Sequence, residues 1–135
     1  MFPLETKILI ADDMPTIRDI LKSQLRAMGF KNIVEAVDGE SALNLLISSR
    51  EKDSPIQLVI SDWNMPRVSG LDLLKQVRAS ADWKDLPFIL LTSESERDHV
   101  TEAIVAGVSQ YIIKPFTPKL FEEKLQAVWN KVAKK

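Results

Sequence analysis

The residue types that could do chemistry in this chain stand at the ends of short apolar runs. Asp12 and Asp13 follow Lys7-Ile8-Leu9-Ile10-Ala11, and Asp62 follows Leu58-Val59-Ile60-Ser61. Thr92 closes Pro87-Phe88-Ile89-Leu90-Leu91, and Lys114 closes Gln110-Tyr111-Ile112-Ile113. If these runs are parallel strands, their carboxyl ends share one edge of the sheet, which is where open α/β sheets bind ligands. Three carboxylates held within a few ångströms repel one another, and their proton affinities rise unless a cation intervenes. Carboxylates with a backbone carbonyl and waters suit octahedral Mg2+, which shares its coordination shell readily with phosphate. Lys114 adds a fixed positive charge and Thr92 a hydroxyl donor. An acidic nucleophile, a metal, an ammonium and a hydroxyl around one point are the parts needed to accept a phosphoryl group. Taken singly, Asp12-Asp13 reads as a helix cap, Asp62 and Thr92 as turn residues and Lys114 as a solvated charge. Their joint arrival at four strand ends carries the reading.

The elements that must position these groups are legible in the same way. Leu58 to Ser61 lacks polar alternation and suits a central strand covered on both faces, stopping at Asp62. Pro66 forbids early return to regular structure. Met14-Pro15 opens a helix whose buried face is Ile17, Ile20, Leu21, Leu25 and Met28, and Gly29 stops it. Ile33-Val34-Glu35-Ala36 is a strand, and Asp38 caps a helix from about Gly39 to Ser49 that buries Ala42, Leu43 and Leu46. A polar connection, Arg50 to Pro55, leads to the central strand. After Gly70, Leu71, Leu74 and Val77 mark a third helix, and Ser80 to Leu86 is a loop. The fourth helix carries a capping-box variant at Ser95 and Asp98, turns Val100, Ala103 and Ile104 inward and ends at Gly107. Thr117-Pro118 starts the last helix, with Phe121, Leu125, Val128 and Val132 as its stripe. Five strands alternating with five helices give an α/β fold, a doubly wound parallel sheet, as a single domain over residues 1–135.

Composition agrees. The 135 residues suffice for one domain with a real core, 45% are hydrophobic, and 19 acidic against 18 basic residues give a formal net charge of -1. That balance offers nothing to nucleic acid or an anionic membrane. The chain has no cysteine, which excludes disulfides and thiolate chemistry. Neither a secretory leader nor a membrane span is visible, so the expectation is a soluble, cytoplasmic protein.

The stretches Ala11-Asp12-Asp13, Ser61-Asp62-Trp63-Asn64-Met65-Pro66, Leu91-Thr92 and Tyr111-Ile112-Ile113-Lys114-Pro115-Phe116-Thr117 resemble response-regulator receiver domains. The resemblance runs from Lys7 nearly to the end and is closest to the single-domain chemotaxis members. It implies a flavodoxin-like sheet of strand order 2-1-3-4-5. Asp62 is then the phosphoacceptor, served by a phosphohistidine of a sensor histidine kinase or by a small acyl phosphate. Asp13 and Asp62 bind Mg2+ directly, Asp12 helps in part through water, and the Asn64 backbone carbonyl completes the protein ligands. Lys114 contacts the phosphoryl oxygens, and its bond to Pro115 is cis. Thr92 and Tyr111 form the switch, moving inward to report to a face made by the fourth helix, fifth strand and fifth helix. The receiver is not an enzyme in the ordinary sense, although it assists its own phosphotransfer and loss of phosphate. Glu94 and Asn64 stand where the family tunes the lifetime of the phosphoryl group.

The partners implied are the kinase, the flagellar motor switch protein and a phosphatase. The long Arg50–Pro55 stretch and Ala127, where enteric chemotaxis members carry lysine, depart from the pattern and leave the partner open. A phosphorelay intermediate or phosphate sink is the competing function. An aspartyl-nucleophile phosphatase would want a second acid where Asn64 stands, and flavin binding would want a Ser/Thr/Gly-rich loop in place of Asp12-Asp13-Met14-Pro15. His99 reads as a solvated helix position, Trp63 as lying over the rim of the site, and Trp83 as loop packing. Trp129 packs beside the last stripe, and Lys131, Lys134 and Lys135 favour the helix dipole.

Overall fold

The computed structural model describes residues 1–93 and 99–133. Among these, five strands alternate with five helices: β1 (Ile8–Ala11), α1 (Pro15–Ala27), β2 (Ile33–Ala36), α2 (Gly39–Glu51), β3 (Leu58–Asp62), α3 (Gly70–Ala79), β4 (Phe88–Ser93), α4 (Val100–Val105), β5 (Gln110–Lys114) and α5 (Pro118–Ala133). The strands form one parallel sheet in the order β2-β1-β3-β4-β5, as expected. The order turns back on itself between β1 and β3, and the crevice opens there at the carboxyl ends. No helix among the described residues is long and apolar enough to cross a membrane.

The strands lack polar alternation because both of their faces are covered. Leu9, Ala11, Val59, Phe88 and Leu90 pack with Ala42 and Leu46 of α2, Leu73, Leu74 and Val77 of α3 and Ala103 of α4. Ile8, Ile10, Leu58, Ile60, Ile89, Leu91 and Ile112 pack with Leu21 and Leu25 of α1 and Phe121, Leu125 and Val128 of α5. Phe2 is drawn into that second layer, its ring 5.2 Å from Trp129. Helix starts follow the expected chemistry. The Asp38 side chain accepts from the Ser41 N–H at 2.7 Å while the Ser41 hydroxyl serves the Asp38 N–H, a reciprocal cap. Ser69 caps α3 through the Asp72 N–H, and Thr117 caps α5 through the Leu120 N–H. Gly29 (φ 102°) and Gly107 (φ 92°) stop α1 and α4 in the left-handed region.

Several expectations need correction. β3 runs through Asp62 instead of ending before it, and α2 reaches Glu51. Ile20 is 43% exposed, because the stripe of Ile17, Leu21 and Leu25 leaves it on the flank of α1. Ile104 is 60% exposed, since six-residue α4 touches the core through Ala103 and the next position turns about 100° away. Trp63 does not lie over a rim. Its N–H donates to the Leu91 carbonyl at 2.9 Å, continuing the ladder past β3, so the ring falls on the Val59 side and is buried. Exposed His99 precedes α4 with its Nδ1 3.1 Å from Glu102 and its ring 6.2 Å from that of Trp63. Trp83 packs against the core with the Arg50 guanidinium 6.0 Å from its ring, and Arg50 pairs with Asp82. Lys131 donates to the Ser109 carbonyl at 2.7 Å, a direct tie from α5 to the turn before β5. Ser95, Asp98, Lys134 and Lys135 lie outside the described residues.

Candidate functional site

Parallel pairing brings the strand ends level. Ala11 stands opposite Ser61, Asp62 opposite Leu91 and Thr92 opposite Ile113, so the groups just beyond or within these pairs meet at one edge. One carboxylate oxygen from each of Asp12, Asp13 and Asp62 lies within 4.8 Å of the other two. Lys114 reaches across from β5, its Nζ 2.7 Å from Asp62 Oδ1. Asp12 and Asp62 are buried, whereas Asp13 faces solvent. The site therefore has a dry floor and an open mouth.

Each group is held by its backbone. The Met14 N–H donates to Asp12 Oδ1 at 2.8 Å, and the Asp12 N–H donates to the Ala36 carbonyl of β2. Gly70 presses the start of α3 against the end of β3: its N–H donates to the Trp63 carbonyl at 2.8 Å, and a Cβ there would lie 2.0 Å from the Asp62 carbonyl oxygen. Only a residue without a side chain permits that approach. The Lys114-Pro115 peptide is cis, as the resemblance implied.

The electrostatics favour a cation. Burial pushes the Asp12 carboxyl up to about 6; the Met14 N–H opposes this, Asp62 adds repulsion, Lys114 offsets part of it and Asp13 contributes last. Asp12 Oδ2 is buried with no hydrogen-bond partner among the described residues. A buried carboxylate oxygen without a donor, next to two more carboxylates, is the environment that a hard divalent ion satisfies. The cluster is positioned to bind a metal ion.

The remaining predicted residues divide. Thr92 sits on the same edge, fully buried, its hydroxyl oxygen also without a partner among the described residues. Tyr111 is half-buried on β5 with Lys124 Nζ 5.2 Å from its ring centre. Asn64 is exposed in the loop between Asp62 and α3. Glu94 lies outside the described residues. Arg18 escaped the sequence reading: its Nη1 donates to the Asp12 carbonyl at 2.6 Å. No motif announces such a bond, because it joins a side chain on α1 to a backbone atom.

Residues 8–126 match the family model described as the response regulator receiver domain. The chain is 44% identical over 126 residues to "Chemotaxis protein CheY" of Pseudomonas aeruginosa, spanning 93% of this chain and 98% of that one. It is 40% identical over 122 residues to "Chemotaxis protein CheY1" of Helicobacter pylori, covering 90% of this chain and 95% of the relative. Among solved structures it is similar to the chemotaxis response regulator CheY4 of Vibrio cholerae, with a TM-score of 0.78 at 30% identity over 92% of this chain and 98% of that one.

Proposed function

The chain belongs to the response regulator receiver domain family, and on that premise we propose that it is a phosphorylation-activated switch whose phosphoacceptor is Asp62. Members of this family are signalling proteins and not enzymes in the ordinary sense. The observation that carries the reading is the meeting of three carboxylates within 4.8 Å with the Lys114 ammonium 2.7 Å from Asp62.

An Asp62 carboxylate oxygen attacks phosphorus as the P–N bond of a phosphohistidine breaks, and the imidazole departs. Asp12, Asp13, Asp62 and the Asn64 backbone carbonyl would hold Mg2+. When bound, the ion would neutralise charge on the phosphoryl oxygens. Lys114, already directed at Asp62, stabilises the same charge from the other side. Thr92 donates its hydroxyl to the phosphoryl group and leaves space that Tyr111 enters. The surface of α4, β5 and α5 carries the result to a partner. Hydrolysis of the acyl phosphate returns Asp62 to its carboxylate.

The CheY relatives support chemotaxis as the pathway, with a sensor histidine kinase as donor, the flagellar motor switch as target, a phosphatase as antagonist and the cytoplasm as location. Residues 1–135 act as one receiver. Incubation with a small acyl phosphate followed by intact-mass measurement tests the chemistry. Gain of one phosphoryl group that requires both Mg2+ and Asp62, and is lost in Asp62→Ala, is expected. No gain from either the acyl phosphate or a phosphorylated kinase overturns it. Binding to motor-switch peptide then separates chemotaxis from a phosphorelay.

A further inference from the structure

The two acids that follow β1 are consecutive, so the peptide plane joining them decides where both side chains go. That plane has one carbonyl, Asp12 O, and it accepts from Arg18 Nη1 at 2.6 Å. Arg18 stands one turn into α1, its side chain 14% exposed. Another nitrogen of the same guanidinium, Nε, lies 3.2 Å from Glu35 Oε1 on β2. Glu35 is held in turn by Lys22 Nζ, 3.1 Å from its other oxygen, and by register, opposite Ile10 of β1. A planar fork tied at two points cannot swivel. The carbonyl it grips is fixed relative to both β2 and α1.

We propose that Arg18 is a positioning residue for the metal site: through the Asp12 carbonyl it sets the orientation of the Asp12–Asp13 peptide, and Glu35, fixed on β2, holds Arg18 for that task. This rests on the reading above of Asp12, Asp13 and Asp62 as ligands of Mg2+. Among the described residues, Arg18 bonds to Glu35 and to the Asp12 backbone oxygen and to no carboxylate oxygen of Asp12, Asp13 or Asp62. Its effect passes through the backbone, as partners behind metal ligands ordinarily act on affinity.

Charge and positioning predict opposite signs. As a mere cation near a cation site, Arg18 would repel Mg2+, and removing it would tighten binding. As a positioning group, its loss weakens binding. Mg2+ alone is titrated calorimetrically into the whole protein and into Arg18→Ala, Arg18→Gln and Lys22→Ala, and the Asp13 amide resonance is followed by NMR without metal.

About ten-fold weaker Mg2+ binding in Arg18→Ala is expected. Lys22→Ala removes the same charge but pairs, among the described residues, only with Glu35 and Asp19, and Glu35 keeps its place on β2 without it, so binding should stay within about two-fold. Arg18→Gln carries the same expected sign and decides the matter where Arg18→Ala does not fold. Unchanged or tighter binding in the Arg18 variants overturns the role, as does an Asp13 amide that does not move. Absence of Mg2+ binding in the unaltered protein overturns the metal reading itself, and with it the purpose assigned to Arg18.

Discussion

At the scale of single residues, two buried oxygens of the site, Asp12 Oδ2 and the Thr92 hydroxyl, have no hydrogen-bond partner among the described residues. The Thr92 hydroxyl is buried and makes no hydrogen bond to the described residues, so its removal loses none to them. Thr92→Val should leave the resting protein equally stable or raise stability by about 1 kcal/mol in urea unfolding. The same variant should show less response of the α4–β5–α5 surface to phosphorylation. Asp12 makes a pH-dependent case. Its carboxyl is raised from 3.8 to about 6, so the favourable contribution is complete below about pH 4 and is lost as pH rises through 6. The metal-free protein should accordingly lose stability between these values, and Asp12→Asn should remove that slope and gain about 3 kcal/mol at pH 7. Asp38 works in the other direction. The Ser41 backbone N–H, then the Ser41 hydroxyl, hold its carboxyl below 3.8, so its contribution disappears only in stronger acid. Comparing unfolding curves from pH 3 to pH 8 separates the two.

At the scale of elements, the close contact between α3 and β3 is the least tolerant junction. Gly70→Ala would place a carbon 2.0 Å from the Asp62 carbonyl oxygen, so α3 must move. A loss of about 3 kcal/mol is expected, together with impaired phosphorylation, because the strand end carrying Asp62 shifts with the helix. Ile104→Ser, by contrast, should change stability by less than about 0.5 kcal/mol, since the side chain is exposed. That pair shows what the amino-acid order could and could not reveal. Strand ends were legible because apolar runs of buried strands stop abruptly at polar residues, and Asp12, Asp62, Thr92 and Lys114 each sit at such a stop. Coverage was less legible. Ile20 and Ile104 satisfy helical spacing, but whether a neighbour lies over them depends on helix length and tilt, which spacing does not contain. Trp63 was misplaced because one ladder bond beyond β3 decides its face. Arg18 was invisible because its acceptor is a carbonyl, which every residue has.

At the scale of the whole molecule, two core layers cover opposite faces of the sheet, and the N-terminal segment closes one of them. Phe2 is 5% exposed against Trp129 of α5, and Phe2→Ala should cost about 3 kcal/mol in urea unfolding, with Mg2+ binding retained because the site lies at the other end of the strands. The strand order has a further bearing on how the protein is made. β1 emerges from the ribosome before its partner β3, which begins only at Leu58, and Lys114, which closes β5, follows later still. At roughly 5–20 residues per second, several seconds separate the first aspartate from the lysine that meets the third. For that interval a nascent chain carries Asp12 and Asp13 without the Lys114 ammonium, and the site closes only once β5 has been made. Under the proposed function, the topology sets the earliest moment at which the chain could accept a phosphoryl group.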